Sequence, residues 1–254
     1  MVNKKLIHFS VTLQIIFFAA ICSAQDVALS WANGHAFLPG EPTPTSLKNI
    51  KNEKKLPVVI YLHGCTGVYP PHDFEWAKEI SKNGFIVIIP DSMARENRKS
   101  NCDPRVKGGT NTFPMAYKYR QEEITYAFDQ LLISAWADER NLFLMGHSEG
   151  GIATAQSKHV GFKGKIISAW TCTQKNNPSF GGIQSPKEVP LLAVAYLDDA
   201  WRKGKPTEGR CIDSAEGRNL TQIDLVGIEH STFSNATARK EVIKFLLNNS
   251  MNKL

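Results

Sequence analysis

Gly146-His147-Ser148-Glu149-Gly150-Gly151 sets a serine between two glycines at the G-x-S-x-G spacing. In that pattern a strand runs into a sharp turn, the hydroxyl projects from the turn, and the small flanking residues leave room for a strained backbone. A helix starting after the turn aims its first amides at whatever the serine oxygen carries. The chemistry this suits is nucleophilic attack on an acyl carbon. Three fixed positions are a weak signal alone, but here a buried-strand pattern, Asn141 to Met145, precedes the turn and a helical pattern, Glu149 to His159, follows it. An ordinary glycine-rich turn requires neither.

A serine hydroxyl at neutral pH needs a base, and the base needs a group to orient it. Where a G-x-S-x-G turn supplies the nucleophile, the partners follow in the order acid, then histidine. Only His159 and His230 follow Ser148, and His159 precedes every candidate acid, so His230 is the expected base. It sits in the loop Gly227 to Phe233, after the last strand pattern. Four aspartates follow the serine: Asp198, Asp199, Asp213 and Asp224. Asp224 falls inside an apolar strand pattern and Asp213 in an irregular stretch after Cys211. The adjacent Asp198 and Asp199 emerge directly after the strand pattern Leu191 to Tyr196, and one of them is the expected acid. The alternative is that both are solvated residues of a strand-ending turn.

Acyl transfer also needs donors for the developing oxyanion, usually backbone amides. One is expected from Glu149. The other is expected from the loop after the strand pattern Pro57 to Leu62, where His63-Gly64-Cys65-Thr66-Gly67 is similar to the HG-type oxyanion loop of esterases, with the Cys65 amide as donor.

The elements that must position these groups alternate along the chain. Short apolar runs at Pro57 to Leu62, Phe85 to Ile89, Asn141 to Met145, Ile166 to Trp170, Leu191 to Tyr196 and Leu220 to Val226 read as buried strands. Between them, Phe74 to Lys82, Met115 to Trp136 and Glu149 to His159 read as helices, and Ala236 to Leu247 closes the chain as another. Crossover helices force parallel neighbours, so the expected fold class is α/β, a mostly parallel central sheet with helices on both faces. Ligands of such sheets sit at the carboxyl ends of the strands, where Ser148, the aspartate pair and His230 fall. The polar lead from Gln25 to Lys55 holds an edge hairpin at most.

Two segments are expected, a secretory signal over residues 1–24 and a single domain over residues 25–254. Lys4 and Lys5 form a positive n-region, an apolar stretch follows to Ile21, and Cys22-Ser23-Ala24 supplies small residues before Gln25. His8, Ser10, Thr12 and Gln14 interrupt the stretch, which argues against stable membrane insertion. Cleavage takes the net charge from +6 to +4, and the basic residues are dispersed, so nucleic acid is an unsuitable partner. Export, secreted or periplasmic, leaves Cys65, Cys102, Cys172 and Cys211 in an oxidising compartment, where two disulfides are expected among three possible pairings. No two of these cysteines lie at a short ligand spacing, and no metal or cofactor is implied.

From about Leu56 to Leu247 the sequence resembles an α/β-hydrolase of the dienelactone hydrolase type. The resemblance is carried by His63-Gly64-Cys65, Pro90-Asp91-Ser92 with Arg95 nearby, the turn around Ser148, Leu197-Asp198-Asp199 with Trp201, and Glu229-His230. It implies Asp198, the first aspartate after the late strand, as the acid, and the pairings Cys65 with Cys102 and Cys172 with Cys211. Dienelactone hydrolase proper has a cysteine nucleophile where this chain has Ser148, so lactone specificity does not carry over. The expected activity is an exported serine hydrolase of small-molecule carboxylic esters, working through Ser148, His230 and Asp198. A peptidase or acyltransferase would use the same groups, and a non-catalytic binding protein could keep the same fold. Trp136, Trp170, Trp201, Tyr117, Tyr119 and Arg120 are candidates for a cleft, though packing and solvation explain them as well. The oligomeric state is not readable from the sequence.

Overall fold

The computed structural model describes residues 25–51, 54–100, 102 and 113–251, so the expected signal segment 1–24 lies outside the described residues. Residues 25–32 form a first helix, α1. There follow β1 (His35–Phe37), β2 (Thr45–Ser46), β3 (Leu56–Leu62), α2 (Pro70–Lys82), β4 (Ile86–Ile89), α3 (Phe113–Leu132) and β5 (Ala137–His147). The chain continues with α4 (Glu149–Gln156), β6 (Gly164–Ser168), β7 (Leu191–Tyr196), β8 (Leu220–Leu225) and α5 (Ala236–Asn249). The strands form one sheet in the order β2-β1-β4-β3-β5-β6-β7-β8. β1 runs antiparallel to both its neighbours, and the pairs from β4 to β8 are parallel.

The continuous apolar runs bury both faces, and the period of two sorts them. Val59, Tyr61, Val87 and Ile89 pack with Trp76, Ala77 and Ile80 of α2 and with Ala238, Val242 and Leu246 of α5. Val58, Ile60, Leu62, Ile86 and Ile88 face the other way, onto Ile124, Ala127, Phe128 and Leu131 of α3. Each such side chain contributes on the order of 1.5–3 kcal/mol when fully buried. That double coverage keeps the strand ends at fixed heights: Leu62 lies opposite Gly146, His147 opposite Ser168, and Tyr196 opposite Leu225.

The lead holds more than the expected hairpin. Its β1–β2 pair is there, but α1 precedes it, with Val27 and Ser30 buried and Trp31 packed on the α3-side core. Arg95 anchors that helix through Asp26, 2.6 Å from its Nη2. The helix ending expected at His159 stops at Gln156, because Ser157 is extended and its hydroxyl faces the amide of His159. Among the described residues, no helix is long and apolar enough to cross a membrane.

Candidate active site

Ser148 sits where β5 meets α4, with φ 56° and ψ −114°. A non-glycine residue there carries strain of roughly 1–3 kcal/mol, and it persists only because the surroundings hold it. Its N–H donates to the carbonyl of Ser168 at 2.9 Å, and its carbonyl accepts from Ile152 at 3.0 Å. The flanking glycines are required by close approach. A Cβ on Gly146 would lie 2.1 Å from the carbonyl oxygen of Gly150, and one on Gly150 would lie 2.2 Å from that of Leu62.

His230, in the loop after β8, places Nδ1 2.7 Å from Oδ2 of Asp199. The other oxygen of Asp199 accepts the N–H of Trp201 at 2.9 Å, and Arg202 lies 3.4 Å from Oδ2. Burial pushes the Asp199 carboxyl up, but the His230 hydrogen bond, the Trp201 amide and the Arg202 charge outweigh it and hold the group below the ordinary aspartate value. An ionised carboxylate can only accept, so the proton on His230 resides on Nδ1 and Nε2 carries the lone pair.

The expected acid, Asp198, is corrected by this geometry. Its side chain is 50% exposed and pairs with Lys203 at 3.2 Å, whereas the Asp199 side chain is 1% exposed. Both residues lie in the turn that follows β7, which ends at Tyr196. Here the second aspartate of the pair turns inward to His230 and the first turns out to solvent.

The His63-Gly64 loop lies directly over the serine: a Cβ on Gly64 would be 3.7 Å from Cβ of Ser148. Beneath the loop is a buried ionic network. Arg120, fully buried in α3, donates to the carbonyls of His63 (2.8 Å) and Gly64 (3.2 Å), to Glu149 (3.0 Å) and to Glu123 (3.3 Å). Arg98 also donates to Glu149, and Ser92 Oγ to Glu123 at 2.7 Å. The Ser92 N–H donates to Nε2 of His63 at 3.1 Å, so the His63 proton sits on Nδ1, which donates to Gly64. Burial and the Arg120 charge hold His63 well below the ordinary histidine value, as a neutral ring. One guanidinium thus ties the Cys65 loop to the first residue of α4, the two places expected to supply oxyanion amides.

A cleft of about 260 Å³ opens at these strand ends, and Ser148, His230, Gly64, Cys65, His147 and Trp201 are among the residues lining it. Cys65 is bonded to Cys102, which also lines the cleft, and Cys172 to Cys211. Trp201 is 55% exposed beside His230, with ring centroids 5.8 Å apart, while Trp136 and Trp170 are core residues. Tyr117 meets Phe180 edge to face, and Tyr119 lies under the Arg95 guanidinium. Among the described residues, no cluster of three or more His, Cys, Asp or Glu side chains has metal-holding geometry.

The sequence left Arg120 as an open candidate and passed over Glu123, Arg98 and the neighbouring pair His72-Asp73. The spacing of Arg120 and Glu123, three apart on a helix, is the one signal that could have joined two of them. Nothing local marks the carbonyls they serve.

No family model matches the sequence, and no curated protein matches it. Solved structures do. One is a putative dienelactone hydrolase from Klebsiella pneumoniae, similar over 78% of this chain and 88% of its own, at 14% identity and a TM-score of 0.58. Est1E from Butyrivibrio proteoclasticus is similar over 85% of this chain and 93% of its own, at 12% identity and a TM-score of 0.55. The propionate-bound thermophilic esterase Est2 from Thermogutta terrifontis is similar over 85% and 88%, at 11% identity and a TM-score of 0.56. With its eight-stranded, mostly parallel sheet and its strand–serine–helix turn, the chain has the α/β-hydrolase fold.

Proposed function

We propose that the protein is an exported serine hydrolase that cleaves carboxylic esters of small molecules through an acyl-enzyme. The observation that carries this is the 2.7 Å hydrogen bond from His230 to the buried Asp199 on the wall of the cleft that holds Ser148. Dienelactone hydrolase and esterase structures among its neighbours, and two disulfides suited to an oxidising compartment, point the same way.

Asp199 fixes the His230 proton on Nδ1 and leaves Nε2 to take the proton from Ser148 as its oxygen attacks the acyl carbon. Ser148 and His230 line the same cleft, and substrate entry brings the serine oxygen within hydrogen-bond reach of Nε2, since such contacts often form fully only in the liganded site. The amides of Cys65 and Glu149 hold the oxyanion, each such donor contributing on the order of 10²–10³ in rate. Collapse breaks the ester bond, His230 returns its proton to the departing alcohol, and a water repeats the sequence on the acyl-serine. Asp199 stays ionised throughout, stabilising the imidazolium.

The test is turnover of p-nitrophenyl butyrate, with labelling by a fluorophosphonate probe, in the wild type and in Ser148→Ala. Loss of both turnover and label in the variant is expected. Retained turnover would overturn the reading, and an unlabelled, inactive wild type would favour a binding protein.

A further inference from the structure

The cleft contains a second histidine–carboxylate pair that acyl transfer does not use. His72, in the first turn of α2, places Nδ1 2.9 Å from Oδ1 of Asp73. Asp73 also accepts the hydroxyl of Tyr61 at 3.0 Å and the N–H of Tyr69 at 2.7 Å. The Tyr61 hydroxyl also lies 3.2 Å from Nδ1, but with its hydrogen given to Asp73 its oxygen can only accept there, so Nδ1 of His72 faces acceptors alone and carries the ring proton, which leaves Nε2 as an acceptor. His72 is only 3% exposed, lines the cleft with Ser148 and His230, and its Nε2 has no hydrogen-bond partner among the described residues. The His147 ring, 3.9 Å away centroid to centroid and tilted by 43°, packs against the imidazole. Buried polar atoms are nearly always paired, so an acceptor withdrawn from solvent without a partner, on a side chain that lines the same cleft as Ser148, is a place for a donor from the ligand.

We propose that Nε2 of His72 accepts a hydrogen bond from a substrate hydroxyl, so that the cleft selects esters bearing a free hydroxyl near the ester bond in the acyl or the alcohol part. This rests on the hydrolase reading of the same site. An acid-bearing ester fits less well, because no Lys or Arg lines the cleft among the described residues. The exposed rings of Tyr69 and Trp201 flank the opening and suit the carbon skeleton of such a substrate.

The readout is a ratio of kcat/KM within each protein. p-Nitrophenyl 3-hydroxybutyrate is compared with p-nitrophenyl butyrate for the acyl side, and glycerol monobutyrate with propyl butyrate for the alcohol side. In the wild type at least one ratio should favour the hydroxylated ester about tenfold or more, since a buried polar group left unpaired penalises the analogue that lacks its partner. His72→Phe should bring that ratio to about one, and His72→Gln, whose amide oxygen still accepts, should restore part of it. His72→Met serves if the Phe variant does not fold. Wild-type ratios near one for both pairs would overturn the proposal, as would a ratio that His72→Phe leaves unchanged. So would a preference for mono-p-nitrophenyl glutarate over p-nitrophenyl pentanoate. Ser148→Ala run beside these separates the two failures: if it abolishes turnover of every ester, only the role of His72 has fallen.

Discussion

Arg120 donates through Nε to the carboxylate of Glu149, 3.0 Å away, with both side chains withdrawn from solvent. Its Nη2 holds the carbonyls of His63 and Gly64, so one side chain spans from the loop over the serine to the helix under it. Removing one member of a buried pair typically costs about 3–5 kcal/mol, because the other charge is left uncompensated. Arg120→Met is therefore expected to lower the denaturant midpoint sharply. Arg120→Lys should restore little, since an ammonium lacks the planar fork that meets several acceptors at once. Urea unfolding followed by fluorescence, with ester turnover measured on the folded fraction, checks both.

The two adjacent aspartates separate cleanly by substitution. Asp199→Asn keeps the shape but removes the charge that fixes the His230 proton, and kcat should fall by roughly 10⁴. Asp198→Asn breaks only a solvent-exposed contact with Lys203, and such contacts contribute about 0–1 kcal/mol. Its kcat should stay within about threefold of wild type. Equal losses in the two variants would contradict the assignment.

Acid should destabilise the fold in a defined window. Burial holds His63 and His147 well below the ordinary value of 6.5 in the folded protein, helped by Arg120 at His63 and by His72 and His230 at His147. The unfolded chain binds those two protons as pH falls through about 6.5, and the folded chain does not. Their contribution is full above that value and is lost below it, at roughly 2–3 kcal/mol for the pair between pH 7 and 5.5. Denaturant midpoints across that range measure the slope, and His147→Gln should reduce it by about half.

Each disulfide closes a long loop, with sequence separations of 37 and 39 residues. On the chain-entropy account each stabilises by about 4 kcal/mol. The double substitution Cys172→Ser with Cys211→Ser should lower the melting temperature with little change in kcat on the protein still folded. Cys65→Ser with Cys102→Ser should lower both, because Cys65 belongs to the loop over Ser148. Calorimetry and ester kinetics on the two variants distinguish them.

What the chain determines by itself is local and periodic. Apolar runs long enough for strands, helical spacing between them and the glycines around Ser148 act over a few residues, and β7 lies at Leu191–Tyr196, as its pattern predicts. Chain order alone then selected His230 from two histidines. What needed the tertiary structure concerns direction and distant partners. Asp198 and Asp199 differ by one residue in the sequence, yet the turn after β7 sends one to solvent and the other 2.7 Å from a ring 31 residues further on. Arg120 meets His63 and Glu149, 57 and 29 residues away, and His72 lines a cleft whose other walls come from loops remote in the chain. Burial and pairing of charges depend on which surfaces the packed sheet brings together, and no local pattern encodes that.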